Sequence, residues 1–384
     1  MNFIAIKMLV GDRAKYLGIV LGLTFASLLI TQQAAVFVGI MSRVYSFLTD
    51  TSLPDVWVVD PKVQFIDDIK PMQATIVLRV RGVEGVQWAV PLFKGLLQAR
   101  LANGTFQTCN VIGLDDETLI GGPPEMTQGS LASLRQSDGV IVDEIGANGK
   151  LAKLLPDGRR IPLKIGDSLE LNDRRAVVVG ICRVTRTFQS NPVLYTTYSR
   201  ATLFAPQQRK QLSFVIAKVK DGEDPHVVCE RIRRVTRYAA YTRDDFKLLT
   251  LRYYMRYTGI PINFGTAVIL GFVVGIAIAG QTFHNFTIDN LRYFGTLKAM
   301  GATNGILLRM ILLQALLVGC IGYGLGVGAA SFWGYSMSRT ELAFKLPWQL
   351  LVISAAAVLF ICLVSAALSI RKVMKLEPAI VFKS

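Results

Sequence analysis

Four long apolar stretches separate an otherwise mixed chain into unlike regions. No charged residue occurs from Tyr16 to Ser42, a run of 27 residues, and further apolar stretches lie within Ile260–Phe286, Ile306–Phe332 and Pro347–Ile370. About 20 residues cross a bilayer as a helix, so each is long enough to span one. The first is also much longer than the roughly 7 to 15 residues of a signal peptide's apolar core, which predicts an uncleaved anchor. Ahead of it, Asn2 to Val10 is apolar apart from Lys7 and predicts an interfacial helix within residues 1–15. Asp12 is placed to cap a helix beginning near Arg13.

Between the first and second spans the pattern changes. Residues 43–258 carry frequent charges, and turn pairs at Asn103-Gly104, Asp157-Gly158 and Asn172-Asp173 break up short β-rich runs. The pattern predicts a strand at Val56–Val59, a helix over Pro71–Arg81, and a hairpin joining Leu96–Leu101 to Phe106–Leu114 across Asn103-Gly104. Ser168–Leu171 and Ala176–Val184 read as a strand pair, and the strand Phe214–Val219 precedes a helix over Pro225–Arg237. Two strand-then-helix units therefore flank a β-rich insertion at about residues 115–190. Asp244 is placed to cap a final helix, whose stripe of Phe246, Leu249, Tyr253 and Tyr257 predicts a stalk at about 244–258 leading into the second span. The fold class that follows is an α-helical membrane protein with four transmembrane helices and a large α+β extracytoplasmic domain between helices 1 and 2.

A hydrophobic content of 52% fits this layout, but a formal net charge of +15 invites a nucleic-acid reading until it is divided by region. Residues 43–258 hold only +7, and the remaining +8 sits in short segments beside the spans. Lys7, Arg13 and Lys15 precede span one, Arg292 and Lys298 fall between spans two and three, and Arg371, Lys372, Lys375 and Lys383 follow span four. The positive-inside rule places these groups together in the cytoplasm, with both termini, and puts residues 43–258 outside. A short loop at 333–346, holding Arg339, Glu341 and Lys345, is also external.

Catalytic signals are weak. No G-x-x-x-x-G-K-[ST] phosphate loop occurs, so the chain is expected to hold no cofactor of its own, and ATP to be hydrolysed by another subunit. His226 and His284 are too few for a histidine-rich metal centre, and none is expected. Asp115-Asp116-Glu117 and Asp143-Glu144 each sit beside a turn signal, where a solvated acidic turn competes with cation binding. Cys109, Cys182 and Cys229 form an odd set in the external domain and imply no disulfide framework. The alternating Gly322, Gly324, Gly326 and Gly328 lie inside a span and read as close helix packing, as do the pairs Gly18/Gly22 and Gly271/Gly275. Gln32 and Gln33, costly in lipid, are expected to face another helix.

The stretch Asn290–Ala302, NLRYFGTLKAMGA, links the second and third spans. Leu291, Phe294, Leu297 and Met300 recur at helical spacing, and Gly301 is placed to end the helix. Its GTLKAMGA core and the tail IRKVMKLEPAIVF, Ile370–Phe382, resemble the cytoplasmic loop and basic ending of the FtsX/MacB superfamily of ABC-transporter permeases, and are most similar to the DevC-type members. Tyr293 and Ile380 depart from that pattern, where acidic residues are common. The resemblance implies that 43–258 is a split porter-like domain with a β-rich insertion. It also implies that the loop helix docks into a cytoplasmic ATPase through Leu291, Arg292, Phe294, Gly295, Leu297, Lys298 and Gly301, with Leu291, Phe294 and Leu297 as the apolar face presented. Arg371, Lys372 and Pro378 are the matching tail positions. The implied assembly is a homodimer in the bacterial inner membrane with an ATPase subunit and a periplasmic membrane-fusion adaptor. The implied role is a non-catalytic permease subunit of an export system. A non-transporting transducer that activates an external enzyme, a lipoprotein-releasing permease and a plain connector role for the loop stand as alternatives.

Overall fold

The computed structural model describes residues 2–101, 103–154, 159–205, 212–337 and 340–374. The turn at Asp157-Gly158, Arg339 of the short loop, and the tail from Lys375 onward, Pro378 included, lie outside them. The chain divides into two compact units, Met1–Ile40 with Gly259–Ser384, and Met41–Thr258. It opens with α1 (Asn2–Gly11), α2 (Arg13–Arg43) and α3 (Ser46–Asp50), followed by β1 (Val56–Val59), α4 (Ile76–Arg81), β2 (Val86–Arg100) and β3 (Phe106–Leu114). Next come β4 (Glu125–Gly129), β5 (Gly139–Asp143), α5 (Glu144–Asn148), β6 (Lys153–Leu154), β7 (Arg160–Ile161), β8 (Ser168–Leu171), β9 (Arg174–Arg183), β10 (Val193–Thr197) and α6 (Tyr198–Phe204). The last third holds β11 (Phe214–Val219), α7 (Pro225–Thr236), β12 (Ala239–Thr242), α8 (Arg243–Tyr257), α9 (Ile260–Asp289), α10 (Leu291–Ala299), α11 (Asn304–Ser336) and α12 (Trp348–Met374).

In the water-facing unit the strands run in the order β12-β1-β11-β2-β3-β10-β5-β9-β4, with β8 bonded to β2 and β9. Strand β1 is buried at all four positions because each of its faces meets a different core. Val56 and Val58 pack with Ile76, Val80, Val228 and Ile232 of α4 and α7, while Trp57 and Val59 join Phe214, Ile216 and Phe246. The Trp57 ring meets Phe47 and Phe214 edge-on at 5.7 Å each, an arrangement that favours aromatic quadrupoles. Strand β2 is long enough to serve two lobes. Its first half pairs with β11 and its second with β3, and from Phe93 onward its buried residues enter a separate core with Val140, Val178 and Leu194.

That shared strand alters the sequence-based layout. The β-rich region is not a self-contained insertion at 115–190: it draws in the second half of β2, β3, β10 and α6, so the lobe begins near Phe93 and closes near Phe204. The hairpin across Asn103-Gly104 forms, with Gly104 at φ +82, a value that suits a residue without Cβ. The helix expected from Pro71 begins only at Ile76, because Met72 is extended and bridges Leu212. At the stalk, Thr242 rather than Asp244 is the cap: its Oγ1 accepts from the Asp245 amide at 3.2 Å. The buried stripe is Phe246, Thr250 and Tyr254, which keeps to one face at i, i+4, i+8, and Tyr257 is 67% exposed.

In the membrane unit, α2, α9, α11 and α12 are each long and apolar enough to cross a bilayer. They approach through small residues. A Cβ added at Gly326 would lie 2.5 Å from Ser27 Cβ, one at Gly322 2.7 Å from Leu23 Cβ, and one at Gly319 2.7 Å from Cys362 Sγ. Gly324 and Gly328 meet nothing within 4 Å among the described residues, so only half of the alternating glycine run packs against them. The spacing explains the split, since residues four apart share a helix face and those two apart do not. We therefore expect Gly326→Ala to destabilise the detergent-solubilised protein by about 1–3 kcal/mol through overpacking, and Gly328→Ala to leave its thermal aggregation midpoint near wild type.

Cys109, Cys182 and Cys229 are free thiols, buried in three different cores. Burial pushes all three thiols up, that of Cys229 to about 12, so almost no thiolate exists near neutral pH. Maleimide at pH 7 should leave these three unmodified in the folded protein and modify all of them in denaturant. Modification of the folded chain at the native rate of a free thiol would contradict the burial.

Candidate functional site

The loop between the second and third spans folds as the short helix α10, fixed at both ends. Asn290 closes α9, its Nδ2 donating to Phe286 O at 2.8 Å, and the chain turns directly into Leu291. At the other end Gly301 adopts φ +93, and the amides of Gly301 and Ala302 donate to Lys298 O and Leu297 O at 3.1 and 3.0 Å. A left-handed residue there satisfies the last carbonyls of the helix. Thr303 then leads into α11.

Helical periodicity divides α10 into two faces, but not in the direction expected for a docking anchor. Phe294 is 0% exposed and Leu297 is 7% exposed. Both share one core with Ala5 and Leu9 of α1, Phe283 and Phe286 of α9, and Leu307 and Met310 of α11, with Leu291 partly buried against them. Gly295 is buried as well. The apolar face is thus used internally, and a partner would meet Arg292, Tyr293, Thr296 and Met300 instead. Tyr293 and Met300 are the most prominent of these, 62% and 71% exposed. Lys298 is half-buried, and Arg371 and Lys372 fall within the α12 backbone.

A groove of about 760 Å³ lies between α1 and α10, lined by Ile4, Lys7 and Met8 on one side and Tyr293, Thr296 and Met300 on the other. Two carboxylates border it, Asp12 and Asp289. Lys15 ion-pairs with both, which ties the start of α2 to the end of α9. The Asp12 side chain also accepts from the Lys15 amide at 3.3 Å, as a cap of α2 does. Below the groove, Gln314 Nε2 of α11 donates to Ala5 O at 2.7 Å and anchors α1 to the bundle. Neither α1 nor Asp289 stood out in the sequence as part of this site; the opposite charges of Lys15 and Asp289 at two span ends were the signal available.

Four of the five acidic side chains singled out in the water-facing unit have structural partners. Asp115 accepts from the amide and hydroxyl of Thr118, and Asp116 from Ser199 Oγ at 2.6 Å. Asp143 caps α5 through the Gly146 amide at 2.8 Å and also accepts from the Val193 amide at 2.7 Å. Burial raises its carboxyl pKa against the pull of those two amides. Glu144 reaches Arg183 at 3.3 Å. Among the described residues no three His, Cys, Asp or Glu side chains lie close enough to hold a metal ion.

Two family models match the chain. The MacB-like periplasmic core domain covers residues 16–235 and the FtsX-like permease C-terminal domain residues 265–378. An uncharacterized ABC transporter permease of Methanocaldococcus jannaschii is 24% identical over 209 residues, 50% of this chain and 52% of the relative. The match thus spans about half the length of that curated relative. Among solved structures, the periplasmic region of MacB from Actinobacillus actinomycetemcomitans is 15% identical over 54% of this chain and 95% of its own, with a TM-score of 0.38. The extracellular domain of the ABC-type transporter YknZ from Gram-positive bacteria is 10% identical over 50% and 99%, with a TM-score of 0.35. Those scores are too low to add to the assignment, which rests on the family models. Since the MacB-like model alone matches more than half of the chain, and the FtsX-like model most of the rest, this multi-pass membrane protein belongs to the FtsX/MacB superfamily of ABC-transporter permeases.

Proposed function

We propose that the chain is the permease subunit of an ABC-type export system, in which α10 and its groove with α1 take up motion from the ATPase and pass it through the spans to the water-facing unit. The observation that carries this reading is the burial of Phe294 and Leu297 in the core that also holds α1, α9 and α11. A load on the exposed face of α10 is then borne by packed side chains of the whole bundle rather than by a loose connector, and packed interiors transmit strain. In this reading both termini and residues 287–305 face the cytoplasm of a bacterial inner membrane. The Lys15–Asp289 ion pair, which joins two span ends flanked by basic residues, supports that orientation.

The size of the two-lobed water-facing unit favours export with a periplasmic adaptor over simple activation of an external enzyme, since each lobe has its own core and surface to offer. The functional unit is a homodimer, one ATPase under each copy. The chain itself contributes no catalytic step.

The test separates docking from folding. Tyr293→Asp and Met300→Asp alter only exposed side chains, and each should lower co-purification of the co-expressed ATPase at least about tenfold, as loss of an interface anchor does, with membrane levels unchanged. Phe294→Ala should instead cost about 3–5 kcal/mol of stability and reduce the amount of folded permease. If both surface variants retain wild-type ATPase binding and coupled ATP turnover, the ATPase docks elsewhere and the reading fails.

A further inference from the structure

The water-facing unit holds a cavity of about 610 Å³ that ATP-driven coupling does not require. It opens where β2 passes from one lobe to the other, and its outer part is aromatic and aliphatic. Phe65 and Phe188 both stand edge-on to the Tyr254 ring, at 5.6 and 5.4 Å between centroids, and form one wall. Leu96, 41% exposed, faces the same space from β2 together with Ile69 and Pro71.

The inner end is polar and incompletely satisfied. Asn110 is 7% exposed and lines both this cavity and the smaller space behind it. Thr187 Oγ1 is shielded from solvent and has no hydrogen-bond partner among the described residues. Asn110, Thr187 and Lys94 also border a smaller internal space of about 10 Å³ shared with Asp50 and Tyr195, about enough for one water molecule. Buried polar groups are nearly always hydrogen-bonded, so the unpartnered Thr187 hydroxyl, beside the Asn110 amide at the end of an accessible cavity, marks a place where something supplies a missing bond. An apolar chamber with a few convergent polar groups is the usual form of a small-molecule site, and this volume falls in the usual range.

The charges decide what kind of molecule fits. Lys94, 4% exposed, is ion-paired with Asp67 and lies 5.4 Å from the Phe47 ring centroid, so its positive charge is already matched. Asp68, the other carboxylate on the wall, pairs with Lys70 at 2.7 Å. Among the described residues that line the cavity no unmatched cation is left to receive an anionic head, and Asp67 is 44% exposed where one would enter. The inner groups that remain, an amide and a hydroxyl, both donate and accept.

We infer that this cavity binds an uncharged amphipathic small molecule, with an aromatic or aliphatic body against Phe65, Tyr254 and Leu96 and a hydroxyl or amide head hydrogen-bonded to Asn110 and Thr187. The site stands whether or not α10 is the ATPase contact.

A neutral photoprobe of this shape, trifluoromethyl-diazirinyl benzyl alcohol, tests it on the full chain in lipid nanodiscs, with labelled peptides identified by mass spectrometry. Labelling of the peptides that carry Phe65, Leu96 and Phe188 should saturate with probe concentration. Leu96→Trp, which fills the cavity from an exposed position, and Asn110→Leu, which removes the head's partner, should each reduce it at least about tenfold. Labelling of lipid-facing α9 in the same samples should not change. The corresponding benzoic acid should compete at least about tenfold more weakly than the alcohol, the discrimination expected when a charge must be buried without a partner. Labelling confined to the membrane helices, cavity labelling that survives Leu96→Trp, or equal competition by the acid would each overturn the inference. Should Asn110→Leu fail to fold, Leu96→Trp decides the matter alone.

Discussion

Both lobes of the water-facing unit depend on the hydrogen bonding of one strand. β2 is paired with β11 along its first half and with β3 along its second, and β8 joins it near the far end. Strand pairing fixes register, and a one-residue slip would exchange every inward side chain for an outward one. The three cores that β2 enters are therefore not independent: the alternation that sends Ala89 into one, Leu92 into a second and Phe93 into a third is set by a single backbone. The cavity opens at this handover, where the sheet changes partners.

The membrane unit meets a different constraint. In lipid there is little gain from burying one apolar surface against another, so helices associate by close approach and by a few polar contacts. Gly319, Gly322 and Gly326 provide the approach, and the Gln314 and Lys15 contacts provide the polar links. Helix α10 is attached to that bundle by its apolar side. A short amphipathic helix at a membrane surface has only one such side, and using it inward leaves polar and aromatic groups for the outside.

Much of this was legible in the sequence because the signals were local. Period-two runs and turn pairs placed β1, β3, β8 and β11 at their observed bounds, and uninterrupted apolar length revealed the spans. What the sequence left open concerned partners distant along the chain. Leu291, Phe294 and Leu297 announce an apolar face whichever surface covers it, and only the fold shows that α1, α9 and α11 do. Likewise the sequence suggested only the end of β2, as Leu96–Leu101, and its full length and shared role appear only when β11 and β3 are seen on its successive halves. The cap of α8 was misplaced by two residues because Thr242 and Asp244 are both good caps locally, and the exposed Asp244 pairs with Lys247 instead.

The bond from Gln314 to the main chain of Ala5 has a bearing on how the protein meets bilayers of different thickness. Helices whose apolar length does not match the membrane adjust by tilting, and an amphipathic segment held by lipid alone would move with the interface. Here α1 is attached to α11 by an amide in a site with no access to water, where exchange of that bond for hydration is unavailable. Its depth is consequently set by protein and not by acyl-chain length. A change of lipid that tilts α11 would then carry α1 with it, because the bond holds the two together.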